Sequence, residues 1–223
     1  MKKQRIIETN EGIQDKITVE IFDNFARIMR DKGWNSVDSF IKAGITKGNV
    51  LEIGPGPGYV GLEWLKKFPD ATLTGCEISR EMIRLAEKNA RDYGFEKRTA
   101  YVEGNCMQMP FPDGSFDAVI SNGSLHEWED PVKVFNEINR VLKPQGLLCI
   151  TDMRRDVNSL LKWFIYFSTR PKEIRPGFLT SFNASYTMTE ITNLLGQSKL
   201  KKTAVNKEFF GLCITGKKRD LFL

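Results

Sequence analysis

The sequence predicts an α/β protein built on a doubly wound, mostly parallel sheet, with helices on both faces and the last strand antiparallel. Three observations carry this. From Asn49 onward, short β-branched runs alternate with amphipathic helical stretches at the spacing of βαβ units. The first run, Val50-Leu51-Glu52-Ile53, ends directly in a glycine-rich loop, Gly54-Pro55-Gly56-Pro57-Gly58. Near the end, Lys201 to Val205 and Phe209 to Thr215 read as an antiparallel pair.

Before the sheet, Ile17, Ile21, Phe25 and Ile28 recur at helical spacing and predict an amphipathic helix ahead of Gly33. A short second helix starts at Ser36 or Asp38 and ends at Gly44. Residues 1–48 therefore read as an N-terminal helical cap on a domain spanning 49–223.

Within that domain, Tyr59 to Phe68 is helical, with Leu62, Leu65 and Phe68 on one face and Lys66-Lys67 in the last turn. Ala71 to Cys76 is the second strand. Ser79 caps a helix that buries Met82, Leu85, Ala86 and Ala90. Thr99 to Glu103 and Phe116 to Ser121 are the third and fourth strands. Asp130-Pro131 opens the next helix, with Asp as cap and Pro at the first helical position. Its buried face is Val134, Phe135, Ile138, Val141 and Leu142; Lys143 to Gly146 then turns the chain into a fifth strand, Leu147 to Thr151. Residues 152–187 break the rhythm with a dense apolar run followed by prolines, which predicts a helical insertion on the substrate side. A helix over Thr187 to Leu195 follows it.

The composition excludes several classes. At 223 residues, 41% hydrophobic and 27% charged, the chain suits one buried α/β domain with an appendage. Nothing approaches the ~18–20 apolar residues that span a bilayer, so no stable membrane insertion is expected. The start lacks a signal-peptide hydrophobic region, which points to the cytoplasm. A net charge of +5, mostly interleaved with acidic residues, reads as a solvated surface with no nucleic-acid footprint. The four cysteines are scattered and only one histidine accompanies them, so no metal site is expected and they read as small core residues.

The chemistry lies in the glycine loop. In a doubly wound sheet, ligands bind beyond the carboxyl ends of the strands where strand order reverses. Glycines let the backbone approach a ligand closely, and the following helix directs free N–H groups toward it. Two cofactors compete at this point. Gly56-Pro57-Gly58-Tyr59-Val60-Gly61 satisfies the dinucleotide pattern, with Glu77 about 20 residues on. Against that, Pro55 and Pro57 remove donors that a pyrophosphate wants, and the register centres on Gly54 directly after the strand.

With these segments in order, the sequence resembles the class I S-adenosylmethionine-dependent methyltransferases. Within them it is most similar to the small-molecule group that includes the quinone-biosynthesis C-methyltransferases. The resemblance runs from Asn49 to Met153, more weakly over Thr187 to Lys217. Besides the loop it rests on Gly75-Cys76-Glu77-Ile78-Ser79, on Gly104 to Phe111, on Phe116 to Asn122, and on Arg140 to Gly146. It implies a seven-stranded Rossmann-like sheet, S-adenosyl-L-methionine as cofactor and a small-molecule methyl acceptor.

The resemblance also implies residue roles. Glu52 and the backbone of Gly54, Pro55, Gly56, Gly58 and Tyr59 would hold the methionine end of the cofactor, whose ammonium suits a carboxylate. Glu77 would accept from both ribose hydroxyls, and Ile78 would pack on the adenine. Asn105 stands where the family usually has Asp; its amide still offers an acceptor and a donor to the adenine edge. Cys106 would add backbone contacts, while Ser121 and Asn122 would border the methionine moiety and the transferred methyl. His126 is the candidate catalytic residue, as a general base or as a pocket wall. Displacement at a sulfonium runs largely on alignment, so catalysis would come mainly from positioning.

The insertion carries Trp163, Phe164, Tyr166, Phe167, Phe178 and Phe182 among an excess of basic residues. It reads as an apolar pocket with a cationic rim, suited to an aromatic, isoprenoid or acidic acceptor. Equally, it reads as a lid burying its aromatic face on the domain, and a third, weaker reading is an amphipathic helix lying on a membrane surface. Two other function classes remain open: a cofactor-binding protein without methyl transfer, and a NAD-type oxidoreductase.

Overall fold

In the computed structural model, residues 5–6 and 12–219 are described. The sheet has seven strands in the order β3-β2-β1-β4-β5-β7-β6. The strands are β1 (Asn49–Ile53), β2 (Thr72–Glu77), β3 (Thr99–Glu103), β4 (Phe116–Asn122), β5 (Leu142–Met153), β6 (Ala204–Lys207) and β7 (Gly211–Lys217). The first five pair in parallel, and β7 runs antiparallel to both β5 and β6. Strand order reverses between β1 and β4, so the loops leaving these two strands flank the crevice that such sheets use for ligands.

The helices are α1 (Lys16–Asp31), α2 (Val37–Lys42), α3 (Tyr59–Lys67), α4 (Arg80–Asp92), α5 (Pro131–Val141), α6 (Ser159–Ser168), α7 (Arg175–Ala184) and α8 (Met188–Gly196). One core half gathers α5 and α8 residues such as Phe135, Ile138 and Ile191 against Val119, Leu148 and Ile214 of the sheet. The other gathers Phe40, Trp64 and Leu65 against Val50, Ile120 and Cys149. Caps form where the side chains demand them: Ser79 accepts from Met82 N–H, Asp130 from Lys133 N–H, and Thr187 makes a capping box with Glu190.

Three expectations change. The apolar face assigned to α1 is rotated: Ile17 is 72% exposed, while Val19 and Asp23 are buried. Asp23 goes inward because Tyr59 Oη donates to it at 2.8 Å, a polar reason that hydrophobic periodicity does not report. The fifth strand starts earlier than Leu147. Leu142 already pairs with Phe116, and Lys143 to Gly146 forms an irregularity before Leu147 pairs with Ala118. Gln145 there takes a left-handed φ of 63°. Finally, the closing pair shifts toward the C-terminus, to Ala204–Lys207 and Gly211–Lys217.

Residues 152–187 form the end of β5, then α6, a 3-10 turn over Lys172–Ile174, and α7. Among the described residues, no helix is long and apolar enough to cross a membrane.

Candidate cofactor and methyl-transfer site

The loop between β1 and α3 is bound on every side. Gly54, Gly56 and Gly58 have φ of 63°, 52° and 83°, a region that side chains rarely adopt. Gly54 N–H donates to Cys76 O at 3.0 Å and Gly58 N–H to Pro55 O at 2.9 Å. Asn89, buried on α4, donates to Pro57 O at 2.9 Å. A Cβ on Gly54 would lie 2.5 Å from Ser124 Oγ, so the loop after β4 presses directly on the loop after β1.

Glu77 ends β2 beneath this loop. Its Oε2 accepts from Gly56 N–H at 3.1 Å, and its Oε1 from Ile78 and Ser79 N–H at 2.9 and 3.0 Å. Burial raises its carboxyl above the usual range, against the pull of these three donors. A carboxylate offers about four acceptor positions, so one position on Oε2 remains for a hydroxyl. Ile78 is half-buried, and Gly12 sits on it: a Cβ at Gly12 would stand 2.8 Å from Ile78 Cγ2. Ser79 Oγ donates to Ile13 O. The segment before α1 therefore crosses the carboxyl end of β2.

Glu52 points under the first turn of α3, where a Cβ on Gly61 would meet its Oε2. It is 2% exposed. Burial pushes its carboxyl up to about 8; the Gly61 N–H opposes this and the Glu77 charge adds to it. Its Oε2 has no hydrogen-bond partner among the described residues. Tyr59 turns its ring away, toward α1, with the Arg30 guanidinium 4.7 Å from the ring centre. Pro55 is buried, and its Cγ would lie 2.9 Å from a Cβ on Gly75.

The remaining residues lie at or just past the carboxyl ends of β3 and β4. Ser121 is fully buried and its hydroxyl donates to Ile53 O at 2.9 Å, tying β4 to β1. Asn122 accepts from Ser36 Oγ at 2.6 Å and from Thr151 Oγ1 at 3.1 Å. Asn105 is exposed after β3, and its Oδ1 accepts from Met107 N–H at 2.8 Å. Burial pushes the half-buried Cys106 thiol up to about 12, so it is a packing group and not a thiolate.

His126 lies in the 3-10 turn Leu125–Glu127 after β4 and is 5% exposed. Its Nδ1 stands 2.9 Å from Asp152 Oδ2, and its own backbone N–H donates to the same oxygen at 2.8 Å. Arg5 Nη2 donates to His126 O at 2.8 Å. Trp128 is core, 3% exposed, and its indole N–H donates to Ser124 Oγ at 3.0 Å.

Sequence reasoning missed Asp152, Ser124, Asn89 and the Gly12–Ile13 contact. Asp152 had a signal: it closes β5 next to β4, whose end leads into His126.

The donor set fits the cofactor that the resemblance implies. Glu52 Oε2 is buried without a partner among the described residues; the carboxyl, pushed up to about 8 by burial, would ionise against an ammonium placed beside it. The Gly54 and Gly56 backbone gives close approach without side chains. Glu77 keeps an acceptor position for a ribose hydroxyl.

Residues 51–150 match the family model for a methyltransferase domain. An uncharacterized methyltransferase of Bacillus subtilis, YdaC, is 34% identical over 117 residues, 52% of this chain and 62% of that protein. A demethylmenaquinone methyltransferase of Lactobacillus johnsonii is 29% identical over 153 residues, 67% of this chain and 62% of that protein. The chain spans about half to three-fifths of the length of these curated relatives. In fold, it resembles the plantazolicin methyltransferase BpumL, solved with a substrate analog and SAH, at TM-score 0.75 and 18% identity over 92% of this chain and 91% of that one. It resembles a SAM-dependent methyltransferase from Aquifex aeolicus at TM-score 0.68 and 18% identity, over 92% of this chain and 100% of that one. The glycine loop, the reversal of strand order beside it and the match over 51–150 make this part of the chain similar to a methyltransferase domain, and the solved structures give the chain the fold of S-adenosylmethionine-dependent methyltransferases.

Proposed function

We propose that the chain transfers the methyl group of S-adenosylmethionine to a small-molecule acceptor by direct displacement, with alignment supplying most of the rate. The observation that carries this reading is the joined pair of loops after β1 and β4, in contact at Gly54 and Ser124. One would hold the sulfonium side of the cofactor, and the other would bring His126 and Asn122 toward the methyl. When bound, the cofactor supplies the electrophilic methyl. Glu52 would hold its ammonium, Glu77 its ribose, Ile78 and Asn105 its adenine, and Gly54, Pro55, Gly56, Gly58, Tyr59, Cys106 and Ser121 would shape the backbone around it.

His126 serves here as a pocket wall. Its ring and backbone both hang from Asp152, so the pair orders the turn over the glycine loop. The helical cap over 1–48 and the insertion over 152–187 would complete the acceptor pocket. An aromatic, isoprenoid or acidic acceptor suits the rings of Tyr166, Phe178 and Phe182, which follow one another at centroid distances of 6.3 and 6.1 Å beside Lys162.

The test is calorimetric titration with S-adenosylmethionine, its demethylated product and NAD, followed by a metabolite screen for methylated product. Binding of the first two but not NAD, with product from an aromatic, isoprenoid or acidic acceptor, is expected. Preference for NAD, or cofactor binding with no product from any acceptor, overturns the reading.

A further inference from the structure

Helix α6 is built inside out. Leu160, Trp163, Phe164 and Phe167 fall at i, i+3, i+4 and i+7, so they form one stripe along the helix. In a globular protein such a stripe faces the core. Here these four residues are 80%, 47%, 69% and 60% exposed, and no residue of α6 is fully buried. The opposite face, Leu161, Lys162, Ile165 and Tyr166, is the half-buried one. Tyr166 reaches Phe178 of α7, and Lys162 Nζ lies 4.2 Å from the centre of the Phe182 ring.

The surroundings of the stripe are cationic. From Phe167 to Ala184 the basic residues are Arg170, Lys172 and Arg175, and Glu173 is the one acid. Arg170 and Arg175 both fold back on the end of α6, donating to Phe167 O at 2.8 and 2.6 Å. Positive charge is thus fixed at the C-terminal end of the apolar stripe. The hairpin between β6 and β7 emerges at the same end of the sheet, since Gly211 pairs with Met153. It exposes Phe209 and Phe210 at 78% and 46%.

We infer that α6 docks the protein on an anionic lipid surface, lying in the interface with Leu160, Trp163, Phe164 and Phe167 below the headgroups. Aromatic and aliphatic side chains on one face, with Lys and Arg alongside, are what an interfacial helix needs, and Trp favours that depth. Each cation near a negatively charged leaflet adds attraction of its own. A second copy of the chain suits this face less. Four side chains, about two-thirds exposed at about 200 Å² each, come to roughly 500 Å², short of the about 800 Å² that one side of a stable interface buries.

The experiment is sedimentation of the full chain with vesicles of phosphatidylcholine containing about one-third phosphatidylglycerol, beside pure phosphatidylcholine vesicles. Binding to the anionic vesicles is expected, with a blue shift of tryptophan emission and loss of binding at high salt. Trp163→Ser with Phe164→Ser should weaken it by on the order of tenfold or more, whereas Trp34→Ser should not. Because the stripe is exposed, circular dichroism and the melting temperature of the double variant should match the parent. Absence of binding to anionic vesicles, equal binding to neutral ones, or undiminished binding by the double variant overturns the inference. So does a concentration-dependent dimer that the double variant abolishes while vesicle binding is absent.

Discussion

His126 and Asp152 are joined twice, through the imidazole Nδ1 at 2.9 Å and through the histidine's backbone N–H at 2.8 Å, both to the same carboxylate oxygen. Asp152 also accepts from Met153 N–H at 2.6 Å through its other oxygen. One side chain at the end of β5 therefore holds the turn that follows β4. Asp152→Ala should orphan buried donors and cost about 1–3 kcal/mol, a melting-temperature drop of roughly 2–4 °C per kcal/mol. His126→Asn should lose less than about tenfold in kcat, because a general base contributes about 10²–10⁴-fold. A loss in that larger range, with cofactor affinity unchanged by calorimetry, would make His126 the base.

Glu77 supports the loop as well as the ligand assigned to it. Glu77→Ala should weaken S-adenosylmethionine binding by about 100-fold, the scale of one or two charge-assisted hydrogen bonds. It should also lower the melting temperature, since Gly56, Ile78 and Ser79 lose their shared acceptor. Affinity equal to the parent would remove the ribose assignment.

Glu52 predicts a pH dependence of stability. Its carboxyl titrates at about 8 when folded and near 4.5 in a free chain. Between those values the folded protein holds a proton that the unfolded chain has released, so stability falls as pH rises through the window. Glu52→Gln, neutral and nearly isosteric, should flatten that slope and melt higher than the parent at pH 8. Glu77 titrates in the same direction, so a residual slope should persist. Thermal melts from pH 5 to 8 check both points; an unchanged slope in Glu52→Gln would show that Glu52 is ionised in the fold.

Gly54→Ala combines a left-handed φ of 63° with a Cβ 2.5 Å from Ser124 Oγ. It should destabilise by about 1–3 kcal/mol and displace the turn that carries His126. Gly94→Ala is the control: its φ is 72°, yet among the described residues nothing beyond its chain neighbours lies within 4 Å of the added Cβ. Equal melting temperatures for the two variants would mean that the contact with Ser124 contributes nothing.

The parts legible in the sequence are those set by local chemistry. The Asp130–Pro131 start, the Ser79 cap and the Gly54–Gly58 loop each carry their cause within a few residues, and each stands as read. The apolar set of α5 is buried as its periodicity requires. What escaped was decided by distant partners. Asp23 is buried because Tyr59, 36 residues on, donates to it. Asp152 meets His126 because β4 and β5 are neighbours, a fact of topology and not of spacing. In α6 the dense apolar run predicted a helix, and what its faces meet could not follow from that, since a helical stripe shows which residues share a face but not what that face meets.

The ties around the glycine loop have a thermodynamic consequence. Gly54, Gly56, Pro57 and Gly58 are each held by a named partner: Cys76, Glu77, Asn89 and Pro55. Ordering a backbone residue costs about 1–2 kcal/mol of conformational entropy. In this chain that cost falls on folding, so an incoming cofactor meets a rigid surface and loses little affinity to ordering it. Mutation of Asn89, the tether with no ligand contact assigned to it, should therefore appear as a change in binding entropy before it appears as a lost contact.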